Sequence, residues 1–297
     1  MIVAITGATG FLGPKLIAAL HSEGHSVRTL GRRETGIAGV QHFLWDAVAG
    51  VPATGMLEGV DAVYNLIGEP VAQRWNAEIK QRIRNTRVQA TANLVSALVK
   101  LQRRPATLIS ASAIGFYGDR GDEILTEEST SGGDFLGKIC VEWEQATSPA
   151  RNLGIRVVLL RTGIVLGADG GALKQMVPPF RAGVGGPIGS GKQWVSWIHV
   201  DDMVGLLLYA LHQQQVQGPI NATAPNPVRN SEFANALGHA LSRPSLIPVP
   251  VFGLKLMFGE AATVLLASQR VLPQALLRAG FPFRYTNAGL ALSEIYS

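Results

Sequence analysis

Three glycines near the start of the chain have the spacing of a dinucleotide-binding loop. Gly7, Gly10 and Gly13 stand in TGATGFLG, residues 6–13, directly after an apolar run that predicts a strand. In such a loop the first glycine permits a tight turn, the second lets the backbone approach a pyrophosphate, and the third lets a helix pack on the strand. The N-terminus of that helix attracts negative charge. The sequence therefore predicts a pyrophosphate site here, the alternative being a turn that only favours glycine.

Two arginines follow the second predicted strand, where dinucleotide-binding folds select their cofactor. Arg32 and Arg33 come after Gly31, and no acidic residue appears before Glu34. An acidic residue at this point bonds the ribose 2′-hydroxyl of NAD, whereas an arginine accommodates the 2′-phosphate of NADP. We therefore predict NADP(H), with Arg32 in contact and Arg33 in support, against the alternative of an exposed basic pair. Asp46, after the third strand, is either a contact for the adenine amino group or a turn residue.

The composition excludes several classes of protein. Of 297 residues, 47% are hydrophobic and 16% charged, with one cysteine, so a disordered or disulfide-stapled chain is excluded, as is a multi-cysteine metal site. The net charge of +5 is scattered along the chain, and nucleic acid is therefore not predicted as a partner. Among the histidines only His199, near Asp201, has suggestive neighbours, and no further ligand stands at metal spacing. No metal site is predicted.

The start of the chain and its longest apolar stretch bear on location. The first residues have no basic segment typical of a secretory signal. Lys255 and Glu260 interrupt the best candidate for a membrane span, residues 249–267. We therefore expect a cytoplasmic protein with at most peripheral membrane contact.

Apolar β-rich runs alternate with helical stretches over the first half of the chain. This alternation predicts a Rossmann-type α/β fold, a doubly wound and mostly parallel sheet. Unbroken apolar runs such as Val157 to Leu160 suit strands that are covered on both faces. The predicted strands are 2–6, 26–30, 42–45, 62–67, 107–112 and 156–161, and the predicted helices are 11–22, 75–101 and 136–146.

The pattern changes after Gly163 into glycine- and proline-rich segments around shorter helices. We predict an NADP(H)-binding domain over residues 1–165, to whose sheet residues 195–225 return, and a smaller substrate lobe over residues 166–297. Helices in this lobe are expected near residues 201–212, 231–241 and 259–267.

Several motifs together resemble the extended short-chain dehydrogenase/reductase superfamily. They are TGATGFLG, NLIGEP at 65–70, SAS and GFYG at 110–118, RTG at 161–163 and WIHVDD at 197–202. With Arg74-Trp75 and the tail at 271–281, the chain more narrowly resembles the atypical SDR39U1-type epimerase family. The resemblance implies a Rossmann fold, NADP(H), and a cleft in which related proteins bind sugar nucleotides. It also implies a link to bacterial or plastid division, because members of the family have been connected with it.

The resemblance also implies which other residues contact the cofactor. Besides the three glycines, Arg32, Arg33 and Asp46, these are Thr6, Thr9, Phe11, Leu12, Leu66, Ile67, Gly68, Glu69, Arg87, Ser110 and Arg161.

The superfamily's catalytic pair is missing from this chain. In related enzymes a tyrosine and a lysine four residues later share one helix face, so that the lysine lowers the pKa of the phenol. None of the five tyrosines here has lysine at that spacing. The resemblance places Leu136 in the tyrosine position and Cys140 in the lysine position, and Lys138 should point away from both.

Four residues remain as catalytic candidates, each with an alternative. Ser112 would hold a carbonyl oxygen or the nicotinamide amide, or bond the backbone at the strand end. Arg87, which replaces the superfamily's asparagine, would supply positive charge or lie in solvent. Tyr117 would act as a substitute acid or anchor its loop. Cys140 would be an activated nucleophile or a small buried apolar residue.

Two functions follow from these residues. The first is an NADP(H)-dependent oxidoreductase or epimerase-like enzyme acting on a small molecule such as a sugar nucleotide. The second is a non-catalytic NADP(H)-binding regulator or scaffold.

Overall fold

A computed structural model describes residues 1–297 of the chain. Thirteen strands are present, most of the short ones in the second half. In chain order they are β1 (Ile2–Thr6), β2 (Ser26–Gly31), β3 (Val40–Leu44), β4 (Ala62–Asn65), β5 (Thr107–Ala113), β6 (Ile124–Leu125), β7 (Arg156–Thr162), β8 (Ile164–Leu166), β9 (Trp194–Val195), β10 (Trp197–His199), β11 (Gly218–Ala222), β12 (Val228–Arg229) and β13 (Arg270–Val271).

Seven of these strands form one parallel sheet in the order β11-β7-β5-β4-β1-β2-β3. The predicted doubly wound α/β class is confirmed. The order reverses between β1 and β4, where Thr6 pairs in register with Asn65. At such a switch point the loops after neighbouring strands diverge and leave a crevice at the carboxyl edge. The strand β11 comes from the second half of the chain and completes the sheet beside β7.

Helices cover both faces of the sheet and build the second layer. In chain order they are α1 (Gly13–Ser22), α2 (Ala77–Arg84), α3 (Ala90–Lys100), α4 (Phe135–Gln145), α5 (Ser148–Asn152), α6 (Leu173–Arg181), α7 (Val200–His212), α8 (Asn230–Ala240), α9 (Val251–Phe258), α10 (Ala262–Leu266), α11 (Gln274–Ala279) and α12 (Ala288–Tyr296). A π-helical turn, Asn85–Gln89, joins α2 to α3.

Two apolar cores lie on opposite faces of the sheet. Leu16 and Leu20 of α1 pack with Leu207 of α7 on one face. Leu94 and Leu98 of α3 pack on the other face, with α5 beside them. Because both faces are covered, the strands carry unbroken apolar runs, as the sequence predicted for β7.

A third core lies in the second half of the chain. Residues of α6, α8 and α12 surround the fully buried side chains of Trp197 and Phe233. Helix α6, which contains Pro178 and Pro179, was not among the predicted helices. Two prolines cost helical hydrogen bonds, but the buried side chains Leu173, Val177 and Phe180 on one face hold the segment helical.

Three other parts of the fold depart from the prediction. The helix predicted over 75–101 is two helices separated by the π turn. The helix predicted near 259–267 is a short 3₁₀ turn followed by α10. Helices α9, α11 and α12 were not predicted. No helix is both long and apolar enough to cross a membrane.

Candidate functional site

The glycine loop between β1 and α1 needs its glycines for steric reasons. Gly7 has a φ of +75°, and a Cβ there would lie 2.6 Å from the backbone of Leu66. A Cβ at Gly13 would overlap the carbonyl of Ala8. The close approach at Gly13 brings the N-terminus of α1, the positive end of the helix dipole, to the loop. A pyrophosphate at this edge of the sheet would meet backbone N–H groups at the N-terminus of α1.

A cavity of about 230 Å³ opens from this loop along the carboxyl ends of β1, β2 and β4. It lies at the switch point of the sheet, where α/β folds bind their ligands. The residues that line it are Gly7, Ala8, Thr9, Gly10, Thr29, Leu30, Gly31, Arg32, Arg33, His42, Trp45, Ala47, Leu66, Ile67 and Gly68. The predicted residues of the glycine loop, the arginine pair and 66–68 thus share one cavity.

Seven of the lining residues were not predicted as cofactor contacts: Ala8, Thr29, Leu30, Gly31, His42, Trp45 and Ala47. Thr29 Oγ1 and His42 Nδ1 are 3.0 Å apart across β2 and β3. The Trp45 indole donates to the carbonyl of Gly50 at 2.8 Å, which fixes a buried aromatic wall, and Ala47 lies beside it. Gly31 and Trp45 lie at or just after strand ends, which was the available signal, whereas Thr29 and His42 lie within β2 and β3.

Arg32 and Arg33 lie at the rim of the cavity without ion-pair partners. Arg32 and Arg33 are exposed, and neither has an ion-pair partner. Asp46 is also exposed, and its Oδ1 accepts from the backbone N–H of Val48 at 3.0 Å, as a turn residue does. Neither arginine makes a side-chain hydrogen bond or an ion pair within the chain, so all of their N–H donors are available to a phosphate.

Three predicted cofactor residues lie beneath the cavity or face away from it. Thr6 Oγ1 donates to Asn65 Oδ1 at 2.9 Å, and Asn65 donates to Ser110 Oγ at 3.1 Å, in a fully buried network. Glu69 accepts from Arg82 at 3.1 Å and is absent from the lining. The buried network fixes the ends of β1, β4 and β5 relative to one another.

A second cavity, of about 440 Å³, lies on the other side of the glycine loop. The loop at residues 167–171 closes over Phe11, and a Cβ at Gly167 would come 2.7 Å from its ring. Lys15 pairs with Asp169 at 2.8 Å, which ties α1 to the same loop. Leu12 packs against the first core. Phe11 and Leu12 therefore support the glycine loop from the side away from the first cavity.

Arg87 lies in the π turn at the edge of the first cavity. Turns of this kind inside helices occur frequently at functional sites. The guanidinium packs against Gly68, where a Cβ would lie 3.3 Å from Nη2, and over Trp143 at 5.1 Å. Its one hydrogen bond is to the Ile83 carbonyl at 3.2 Å, and no carboxylate lies within ion-pair distance. Burial lowers the pKa of Arg87, with Cys140 and Glu69 acting in the opposite direction.

Ser112 belongs to an ion-pair network behind the cleft. Its hydroxyl donates to Glu144 at 2.7 Å, and Arg161 forms two hydrogen bonds of 2.9 Å to the same carboxylate. A serine has a single O–H to donate. In this arrangement Ser112 offers a ligand only acceptor lone pairs. Ser112 is buried, whereas its neighbour Ala113 is partly exposed on the opposite side of β5.

Tyr117 is enclosed within the same network. Its hydroxyl donates to Asn221 at 2.6 Å and accepts from Arg161 at 3.1 Å, and the side chain has no exposed surface. Burial raises the pKa of Tyr117, although Arg161 and Asn221 act against this. Tyr117, Ser112 and Arg161 thus meet in one network with Glu144, and no hydrogen bond or ion pair joins Arg87 to it. The hydroxyl of Tyr117 anchors its loop and has no open path to a ligand.

The positions of the superfamily's tyrosine and lysine are filled on α4 by groups of another kind. Leu136 packs against Gly115, where a Cβ would lie 3.4 Å from its own. Cys140 is buried, and burial raises the pKa of its thiol to about 12 in spite of the nearby Arg87. At neutral pH the thiol is protonated, so neither position carries a nucleophile or a proton-transfer group.

The sheet and the glycine loop define the class of protein. The chain belongs to the NAD dependent epimerase/dehydratase family, whose sequence profile matches residues 3–222. A second profile, described as a domain of unknown function, DUF1731, matches residues 249–295.

Individual relatives make the assignment narrower. The epimerase family protein SDR39U1 homolog, chloroplastic, of Arabidopsis thaliana is 42% identical over 309 residues, which cover 99% of this chain and 86% of the relative. The human epimerase family protein SDR39U1 is 37% identical over 302 residues, which cover 99% of each chain.

Two solved structures are similar over the whole chain. The crystal structure of human SDR39U1 (isoform2) with NADPH has a TM-score of 0.88 at 34% identity and covers 100% of this chain and 99% of its own. The nucleoside-diphosphate sugar epimerase from Corynebacterium glutamicum has a TM-score of 0.82 at 40% identity; the match covers 100% of this chain and 58% of that one. Family membership therefore rests on both sequence and fold.

Proposed function

We propose that the chain binds NADP(H) in the 230 Å³ cavity. The glycine loop would hold the pyrophosphate, Trp45 and Ala47 would line the adenine end, and Arg32 with Arg33 would contact the 2′-phosphate. The arginine pair carries this proposal, because neither guanidinium group has an ion-pair partner and no acidic residue follows β2 before Glu34. The NADPH in the crystal structure of human SDR39U1 supports the same choice of cofactor.

Titration with NADPH and NADH, followed by fluorescence, tests the cofactor. The double variant Arg32→Ala, Arg33→Ala should bind NADPH about 10- to 100-fold more weakly, since charge-assisted hydrogen bonds to the phosphate are lost. Its affinity for NADH should change less than about twofold. Arg104→Ala, an exposed arginine away from the cavity, is the control. Equal losses for both cofactors would contradict the assignment of the pair to the 2′-phosphate.

The reaction that the site supports best is reduction of a small molecule, and Arg87 is the observation that carries it. A partly buried guanidinium without a carboxylate is costly, and an anionic ligand or a developing negative charge would compensate it. NADPH, when bound, supplies a hydride. Arg87 would stabilise the negative charge that reduction leaves on the acceptor's oxygen.

An epimerase mechanism finds less support in these residues. It needs a group that removes a proton from the substrate and returns it, and the protonated thiol of Cys140 and the side chain of Leu136 cannot do so. In a reduction the oxygen can take its final proton from water. We infer a carbonyl compound as the acceptor, such as a nucleotide sugar that carries a keto group, because proteins of similar fold are crystallised with nucleotide sugars.

Kinetic measurements with NADPH and a panel of carbonyls and nucleotide sugars test this function. Arg87→Met should lower kcat/KM by about 100-fold or more, as removal of an oxyanion donor does in other enzymes, and Arg87→Lys should restore part of it. Arg84→Met is the matched control, since Arg84 ends α2 three residues before Arg87 but pairs with Glu142 at the surface. Undiminished turnover in Arg87→Met would rule out this role for the arginine.

A second candidate is a non-catalytic, NADP(H)-responsive regulator. This candidate is favoured because Leu136 and Cys140 cannot transfer a proton. It is also favoured by exposed apolar side chains on and near α9, namely Leu246, Phe252, Leu256 and Met257. On this alternative NADPH would change the binding of a partner protein without being oxidised. If no substrate oxidises bound NADPH while the cofactor alters partner capture, the regulator replaces the reductase.

A further inference from the structure

Two histidines and a glutamate meet at the amino-terminal edge of the sheet, opposite the cofactor cavity. Glu23 ends α1, His25 precedes β2, and His212 ends α7. One potential ligand atom from each lies within 4.8 Å of the other two. Glu23 and His212 are 189 positions apart in the chain, so the cluster exists only because α1 packs beside α7.

The distances within this cluster are close to those around a tetrahedral metal ion. Glu23 Oε2 lies 3.2 Å from His25 Nε2 and 2.8 Å from His212 Nε2. Ligand atoms bonded at 2.0–2.1 Å to a tetrahedral zinc ion are about 3.3 Å apart. The two imidazole rings are tilted by 43° relative to each other, and their centroids are 5.9 Å apart. A small movement of the half-exposed His212 would therefore bring its Nε2 to the spacing of zinc ligands.

One nitrogen of His25 has no hydrogen-bond partner in the cluster. Its Nε2 atom is buried and makes no hydrogen bond, although the Glu23 carboxylate is 3.2 Å away. A buried polar atom without a partner is costly. His199 has a similar relation to Glu294, at 3.2 Å, but no third ligand atom converges there.

We propose that Glu23, His25 and His212 bind one Zn²⁺ ion, with water as the fourth ligand. Imidazole nitrogens and a carboxylate oxygen are a ligand set that zinc accepts. The ion would join the turn between α1 and β2 to the end of α7, two segments that otherwise meet through the Glu23–His212 hydrogen bond. Its role would be structural, because the cluster lies at the opposite edge of the sheet from the glycine loop.

Calorimetric titration of the full chain with Zn²⁺, without a polyhistidine tag, tests the site. We expect one ion per chain, a rise in Tm of about 3 to 6 °C at a hundredfold excess over Kd, and reversal by a chelator. Co²⁺ should give the visible absorption of a tetrahedral complex. His212→Ala and Glu23→Gln should each weaken binding about tenfold or more, and NADPH affinity, measured on the same samples, should report an intact fold.

The control is His239→Ala, which removes an exposed histidine of α8. It should bind Zn²⁺ as the unaltered chain does. The proposal fails if no binding is measured, if the Tm shift persists in His212→Ala, or if His239→Ala loses as much affinity as the cluster variants. Each of the last two results would identify adventitious binding to surface histidines.

Discussion

At the scale of single residues, burial decides what the one cysteine can do. The thiol of Cys140 lies between α4 and the end of β5, and the cost of placing a thiolate there raises its pKa to about 12. The nearby charge of Arg87 lowers the pKa, but burial is the larger effect. Sequence alone could not decide between an activated nucleophile and a buried apolar residue, because the decision depends on depth in the fold.

The buried thiol leads to a prediction about reactivity and pH. A thiol-reactive disulfide reagent at about pH 8 should modify Cys140 only as fast as the protein unfolds. Because the folded pKa exceeds the unfolded value of about 8.5, the thiol contributes stability below that pH, and this contribution is lost as pH rises toward about 12.

Denaturant unfolding of the unaltered chain and of Cys140→Ala at about pH 8 and pH 10 checks the second part. The unaltered chain should lose stability relative to the variant at the higher pH. A constant difference between the two proteins would show that the thiol titrates normally.

The structure brings together the residues of the cofactor prediction more fully than the catalytic candidates. The glycines and the arginine pair follow strand ends directly in the sequence, so TGATGFLG and Arg32 indicated residues that line one cavity. Ser112 and Tyr117 depend on partners far along the chain, Glu144 and Asn221, which no local pattern indicates. The cluster of Glu23, His25 and His212 could not be predicted either, because His212 lies far along the chain from the other two residues.

At the scale of elements, the junction of β1 and α1 shows how closely a helix can approach a loop. The missing side chain at Gly13 lets the first turn of α1 touch the Ala8 carbonyl, and Pro14 lies in the first turn at no cost in hydrogen bonds. The position of the helix N-terminus, and with it the charge offered to a phosphate, depends on this contact.

We therefore predict a large effect of Gly13→Ala. The added methyl group would force α1 away from the loop and lower the free energy of unfolding by about 1 to 3 kcal/mol. NADPH binding should be lost in the fraction that remains folded. Gly50→Ala is the matched control, since its Cβ would meet nothing within 4 Å, and it should change stability by less than about 0.5 kcal/mol. Chemical denaturation and cofactor titration measure both effects.

Element prediction succeeded for long periodic segments and failed where packing overrides local preference. Strands β1, β5 and β7 and helices α7 and α8 were close to their predicted bounds. The π turn was missed because the 3.6-residue period of the sequence continues through it. Helix α6 was missed because proline argues locally against a helix, while Phe180 and its neighbours in the third core favour one.

At the scale of the whole molecule, the sheet is completed by the second half of the chain. Strand β11 pairs with β7, and α7 covers one face of the sheet with Met203, Leu206 and Leu207. Both elements lie within residues 195–225, the segment predicted to return to the sheet, and the core around the cofactor-binding residues requires them.

Truncated chains should show this dependence. A fragment of residues 1–165 lacks α7 and β11 and should expose an apolar face, bind a hydrophobic dye and aggregate. A fragment of residues 1–225 restores both elements and should be more soluble and show cooperative thermal unfolding by circular dichroism. Cooperative unfolding of the shorter fragment would contradict the prediction.

The strand order has a consequence for synthesis of the chain. After β1, the strands β2 and β3 add in turn on one side, and β4, β5, β7 and β11 add in turn on the other. Each strand joins a free edge, and none has to insert between two earlier ones. A chain leaving the ribosome can therefore build its sheet in the order of translation. Until residue 222 has emerged, the edge of β7 stays unpaired, and a stalled chain would aggregate through it.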